Sequence, residues 1–414
     1  MKRYFLLILL MIVTSGYSEF NYRLLVLEEQ HFSVKEAVWN KDNIFKINGG
    51  LDANFKLLCE SGYKFENFRI KISDMAIVPF ETNGNFTNSL LEGYVSVNFM
   101  DFYLDLGKKR ILKGKGFLYS PSDFLLKYSA DGGKSKEEAI QFKDGFWLFG
   151  ATYFSEIGNF SFYYFPEISI SNENLERYFT KGQDEIYLLS YSHSLDFMDA
   201  GIVGAYQKVI NAGFYGSVKL NDFLTFHIDL AFLERNKTYH IEKESYPYVG
   251  DIYNAKESEV SNKLQLASGL NYVYENLGVM LEYFYNGCGY TVEEFNGYKS
   301  YLKDAVKNYN ADNAISSGNL GISASILGKK EYLSFSQHYG MLRIYSMSLK
   351  NFDLASLFLL SLTDLSGRFY NSISYNIGNI TLSGEVFITF GDEYSEFMLY
   401  GEKWELNLDC EIVF

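Results

Sequence analysis

Five histidines, three cysteines and a band of lysines and arginines are the side chains of this 414-residue chain with most chemistry to offer. His31, His193, His227, His240 and His338 form no pair at i, i+2 or i, i+4, the spacings that bring two imidazoles to one zinc ion. Ser192-His193-Ser194 places a nucleophile beside a base, but neighbours on a strand point to opposite faces and would not cooperate. Lys108, Gly114 and Lys115 lack the Gly-Lys-Ser/Thr order of a phosphate-binding loop. Cys59, Cys288 and Cys410 are odd in number and without metal spacing, so they read as incidental thiols. An oxidising compartment would permit a Cys59–Cys288 disulfide. Catalysis, a metal and a cofactor all lack support.

What remains is charge, and its placement follows from the strands that carry it. Trp404 to Phe414 alternate strictly: even positions are Trp, Leu, Leu, Cys, Ile and Phe, odd positions Glu, Asn, Asp, Glu and Val. One face suits lipid and the other a wet interior, the pattern of a transmembrane β-barrel strand. The same period-two pattern recurs. Leu91, Gly93, Val95, Val97 and Phe99 oppose Glu92, Tyr94, Ser96 and Asn98. Leu224 to Phe232, Leu264 to Tyr274, Leu277 to Tyr283 and Ile380 to Phe390 repeat it. Tight connections are expected near 100–101, 157–159, 196–199, 221–223, 275–277, 351–353 and 377–379, and long polar loops over 113–144, 170–184, 236–262 and 287–331. The fold expected is all-β: an antiparallel transmembrane barrel with short periplasmic turns and long extracellular loops. Hairpins from 44–80 onward, the terminal strand and a first strand within 22–40 make 18 strands, with 16 as the alternative.

The amino terminus fits export. Met1-Lys2-Arg3-Tyr4 is a basic start, Phe5 to Val13 an apolar run, and Gly16-Tyr17-Ser18 a small-residue cleavage site. Residues 1–18 are therefore expected to be a signal peptide and 19–414 a single barrel domain. The apolar run is far short of the roughly 20 residues of a spanning helix. Aromatics make up 18% of the chain, with 35 Tyr and 36 Phe, which suits the aromatic girdles of a barrel. A net charge of −14 argues against a nucleic-acid partner.

If apolar alternate positions face lipid, the inward set follows directly. Early strands contribute Lys46, Lys56, Arg69, Lys71 and Lys109 with Asp52, Glu92 and Asp105. Asp229 and Arg235 follow, then Glu282, Glu385, Glu405, Asp409 and Glu411. A barrel closes last strand on first, so the basic and acidic sets would meet at the seam. They read as a rigidifying ladder of ion pairs, as a transverse field that selects solutes, or as both. Lys108, Lys109, Arg110, Lys113 and Lys115 precede a long loop. They read either as pore-lining cations on an infolded loop or as rim groups meeting lipid phosphates or water. Alternation puts Lys109 inward and Arg110 outward. Phe117, Tyr119 and Phe124 offer faces for sugar stacking or packing beneath the loop.

Leu91-Glu92-Gly93-Tyr94, then Leu106-Gly107-Lys108-Lys109-Arg110 and Ser120-Pro121-Ser122-Asp123, resemble a segment of uncharacterised porin-like outer-membrane barrels. In those an "EAY" strand precedes "LRxGRQxxxWGK" and "NPxD" follows. Lys113-Gly114 stands where that group has Trp-Gly. Leu281 to Gly287, and Leu362 to Ser366 with Ser395-Glu396-Phe397, are similar to later strands of the group. The terminal Phe414 resembles the assembly signal of such proteins. The resemblance implies a porin-like channel in the outer membrane of a diderm bacterium, passing small hydrophilic solutes. Its partners would be outer-membrane lipids, periplasmic chaperones and the barrel-assembly machinery. The rival reading is a structural or adhesive barrel whose long loops bind external ligands.

Overall fold

Period-two alternation becomes strand throughout. The computed structural model describes residues 19–35, 50–79, 86–125, 142–169, 183–246, 250–307, 309, 318, 320–322, 335–349, 351–399 and 402–413. The expected signal peptide, Lys46 and Phe414 lie outside these residues. The first nine strands are β1 (Glu19–Lys35), β2 (Gly50–Phe65), β3 (Phe68–Pro79), β4 (Thr87–Phe99), β5 (Phe102–Lys109), β6 (Phe146–Ser155), β7 (Gly158–Phe165), β8 (Ile186–Leu195) and β9 (Met198–Tyr206). The rest are β10 (Ile210–Lys219), β11 (Leu224–Tyr246), β12 (Gly250–Tyr274), β13 (Leu277–Asn286), β14 (His338–Leu349), β15 (Phe352–Ser361), β16 (Gly367–Ile377), β17 (Ile380–Phe390) and β18 (Glu402–Val413). Every sequential pair is antiparallel, and β1 also pairs with β18, so the 18-stranded sheet closes and leaves no edge.

One rim is made of short turns, and each tight connection expected from the sequence falls within a residue or two of one. Glu66, Met100, Glu275 and Asn351 take φ of 44°, 52°, 51° and 76° there. Such left-handed residues match the turn's twist to that of the flanking strands. The other rim carries the long connections. One expectation fails on it: residues 236–246 and 250–262 are strand and not loop, since β11 and β12 stay paired from Leu224↔Tyr272 to Tyr246↔Gly250. That stretch is charged at both parities (Lys237, Glu242, Lys243, Glu244), so the period-two signal vanishes while backbone pairing continues.

The outward face is apolar, as lipid requires: Leu106 is 64% exposed and Leu189 62%. The inward face is packed against chain that has folded inside. After β13, α1 (Val292–Lys307) opens with a capping box, in which Thr291 Oγ accepts the Glu294 N–H and Glu294 Oε2 the Thr291 N–H. Its Phe295, Tyr298 and Leu302 pack on Leu320, Phe335 and Leu399, the last from the short α2 (Glu396–Leu399). The segment between β5 and β6 goes deeper still.

Candidate functional site

Residues 110–125 leave β5 and cross the interior to the far wall, where two carboxylates receive them. Asp229 of β11 accepts N–H bonds from Lys115 (2.8 Å), Gly116 (3.2 Å) and Ser122 (2.9 Å). Glu282 of β13 accepts those of Phe117 (2.8 Å) and Leu118 (2.5 Å), and its Oε2 lies 2.6 Å from His227 Nε2. The local sequence permits this approach. Gly114 has φ +87°, and a Cβ there would collide with the Asp229 carboxylate; one at Gly116 would collide with the Tyr119 carbonyl. Apolar side chains complete the contact: Phe117 and Leu118 join Phe284, Tyr339, Met341 and Leu357 in one buried cluster. Tyr119 stacks on Phe284 at 4.6 Å, and the Arg343 guanidinium sits 4.7 Å over Phe117.

Several sequence expectations are revised here. Asp229 and Glu282, 0% and 1% exposed, lie beneath the crossing segment and hold it instead of facing open lumen. Phe117 and Phe124 are packing residues, which leaves no free face for sugars. The basic cluster lies inside the barrel and not on a lipid rim. Lys109 Nζ binds Asp105 (2.6 Å) between the rings of Tyr94 and Tyr103, and Lys108 Nζ reaches the Leu90 carbonyl (2.6 Å) and Asp144 (3.1 Å). Lys113 lies over Tyr163, and burial pushes its ammonium pKa down, against the nearby Asp123 carboxylate. Arg110 was expected to point outward, but its guanidinium meets Glu92 Oε2 at 2.6 Å on the inner face. The strand ends at Lys109, so alternation no longer governs the next residue. Leu91 also departs from its expected outward place. It is the extra residue of a β-bulge opposite Ser73 and Asp74, and it packs inside with Leu25 and Leu58. Cys59 and Cys288 are free thiols.

The wall around the seam is different. A chain of ion pairs runs across it from β18 to the end of β5: Glu411–Arg23 (3.6 Å), Arg23–Glu60 (3.7 Å), Glu60–Lys71 (3.7 Å), Lys71–Glu92 (2.7 Å) and Glu92–Arg110 (2.6 Å). Lys56 shares this inward face, its Nζ 5.6 Å from the Phe142 ring centroid. On the acidic side Glu385 is buried and accepts the Tyr370 hydroxyl at 3.0 Å, while Glu405 and Asp409 follow Glu411 up the inward series of β18. Arg235 is exposed where β11 rises towards the long-loop rim. Arg23 and Glu60, which the sequence reading left out, are the links that make the chain continuous. Arg23 lies in the first strand expected within 22–40, whose faces the sequence leaves unassigned.

Toward the short-turn rim this wall borders a cavity of about 560 Å³. Arg23, Lys64, Arg69 and Lys71 face it against only Glu60 and Glu66. Among the described residues neither Lys64 nor Arg69 has an ion-pair partner. The interior is thus divided into a part filled beneath the crossing segment and a charged cavity at the short-turn end of the seam wall, while Leu25, Leu58 and Leu91 pack farther along that wall.

No family model and no curated protein matches this sequence. Solved structures do. The chain is similar to OccAB1 of Acinetobacter baumannii, with a TM-score of 0.58 and 12% identity over 97% of this chain and 98% of that one. A BenF-like porin from Pseudomonas fluorescens Pf-5 gives 0.58 and 9% over 96% and 98%. Pseudomonas aeruginosa OccK2 (OpdF), in complex with glucuronate, gives 0.57 and 8% over 96% and 98%. The fold is that of an outer-membrane porin. At this identity the likeness is one of architecture: the porin barrel has the same extent in all three, and this chain fills it with its own side chains.

Proposed function

We propose that this porin-fold protein is a passive outer-membrane channel for small hydrophilic solutes, with anionic solutes favoured. One observation carries the reading: a segment pinned across the interior on Asp229 and Glu282 leaves a charged cavity on the seam side. A narrow passage walled by low-dielectric protein focuses the field of its charges, so Lys64, Arg69 and the Glu411–Arg110 chain would act on a passing solute. The glucuronate bound by OccK2 supports the anionic preference. In this reading residues 1–18 are removed on export, Phe414 addresses the chain to the assembly machinery, and the inward residues named above line the passage.

Reconstitution tests it. Purified protein in planar bilayers should give stepwise open conductance, and liposomes carrying it should swell faster in a small sugar acid than in the neutral sugar. Bilayers that stay silent would sink the channel and favour the adhesive reading, which the extended β11–β12 hairpin suits. Deleting Phe414 should lower outer-membrane assembly while secretion persists.

A further inference from the structure

Like charges face each other on the β2–β3 hairpin. Register sets Lys64 directly opposite Arg69, and Arg69 opposite Ser96, in one row beside the Glu66–Asn67 turn. Like charges directly opposite on a sheet destabilise it, so this pair weakens the hairpin unless an anion joins it. The neighbouring carboxylates are already engaged. Glu60 is shared by Arg23 and Lys71, each at 3.7 Å, and Asp105, the next carboxylate along the row, accepts from Ser96 and Lys109. The cavity wall therefore carries four cations (Arg23, Lys64, Arg69, Lys71) against Glu60 and Glu66. Gly62, between Glu60 and Lys64 in the inward series of β2, puts no side chain into that space, and Asn98 and Tyr103 line it with polar atoms.

We propose that this mouth holds a binding site for a phosphate dianion, free or as the end group of a small ester. The proposal rests on the channel reading only in taking the short-turn mouth to be open to solutes. Charge and shape both match. The surplus cations meet an ion that carries nearly two negative charges at pH 7. Its oxygens point to the corners of a tetrahedron, so the Arg69 fork can hold two while the Lys64 and Lys71 ammonium groups reach others. A carboxylate group brings one charge and two oxygens in one plane, too few to bridge all three cations. Held between Lys64 and Arg69, phosphate replaces their repulsion with two attractions.

Folded barrel in detergent, free of phosphate buffer, tests the site. Titration calorimetry with inorganic phosphate at pH 7.5 should report one site per chain, at least ten-fold tighter than for glucuronate. Lys64→Gln/Arg69→Gln should weaken phosphate binding at least ten-fold. Lys219→Gln, at the end of β10 on the opposite wall, should stay within two-fold of the parent. A second readout is the temperature at which unboiled migration is lost. Phosphate should raise it in the parent and not in the glutamine pair, which without phosphate should be at least as heat-resistant as the parent. Glycerol phosphate within ten-fold of the free ion would assign the site to esters as well, and weaker binding to the free ion; either outcome supports a phosphoryl site. Glucuronate within two-fold of phosphate, or a phosphate affinity unmoved by the glutamine pair, would overturn it. A silent bilayer with phosphate still bound refutes the channel and leaves this site standing, and open steps with no phosphate bound do the reverse.

Discussion

The two halves of the lumen use the same residue types for opposite ends. On the far wall Asp229 and Glu282 spend their oxygens on backbone N–H groups and disappear under peptide. At the seam Glu60, Glu92 and Glu411 share theirs among the side-chain cations Arg23, Lys71 and Arg110, and Glu60 borders the cavity. A carboxylate with two or three fixed N–H donors is an anchor, since each charge-assisted bond is worth about 1.5–3 kcal/mol. A carboxylate within a chain of side-chain ion pairs is a field source whose geometry can yield to a solute. The wall that has been filled determines where the field acts.

The largest effect should come from cutting the anchors. Asp229→Ala/Glu282→Ala strands five N–H groups without acceptors in a dry site, which outweighs the packing of Phe117 and Leu118 and frees residues 110–125. Single-channel conductance should rise several-fold with the barrel still heat-modifiable. Unchanged conductance would mean that this segment is not the constriction.

Selectivity should come next, and should divide along the two halves. Lys64→Gln/Arg69→Gln should move the reversal potential toward cations, and Glu405→Gln/Asp409→Asn toward anions. Arg368→Gln, buried on β16 over the Phe387 ring, should leave it within error. Lys109→Ser and Arg110→Ser should shift it by similar amounts, because both pair with inward carboxylates. Dominance by Lys109 alone would mean that Arg110 leaves Glu92 and turns to the lipid side in the membrane.

These contrasts also mark how far the sequence could be read. Barrel class, strand number and the turns at 100–101 or 275–276 are local matters, set by period-two alternation and short breaks, and they were legible. Which face Glu282 or Glu411 takes was legible for the same reason. That Glu282 is an anchor was not, because its partners lie 164 and 165 residues away in a loop with no periodicity. Leu91 was misplaced because a bulge adds a residue without any sign in composition.

A pH effect should be smaller, and confined to the loop rim above the filled half. Glu396 at the start of α2 is wholly buried; its N–H donates to Asp364 and its Oε1 accepts from the Tyr339 hydroxyl at 2.6 Å. Burial pushes its carboxyl up to about 7. A raised folded-state pKa means that the docked loop holds a proton which the released loop gives up nearer pH 4 to 5. Docking is therefore strongest below that range, weakens as pH rises towards 7, and is level above it, a difference of roughly 3 kcal/mol. Hydrogen exchange of residues 391–399 should quicken from pH 5 to 7.5 beyond the intrinsic rate change, and Glu396→Gln should abolish the excess. An excess that persists in Glu396→Gln would place the titrating group elsewhere.

The smallest effect should follow from removing the side-chain ion pair of Lys115 with Asp199 on the crossing segment. Lys115 Nζ lies 3.2 Å from Asp199, both side chains more than a third exposed, and such a pair contributes about 0–1 kcal/mol. Its backbone N–H, in contrast, donates to buried Asp229 and survives any substitution except proline. Lys115→Gln should therefore leave single-channel conductance within error at moderate salt, and Lys115→Pro should raise it toward the value of Asp229→Ala. Position 115 separates the two uses of charge within one residue: the side chain belongs to screened solvent, the peptide to the anchor. If Lys115→Gln opened the channel as widely as Lys115→Pro, the segment would be held by its cation, and the far wall would work by the same pairing as the seam.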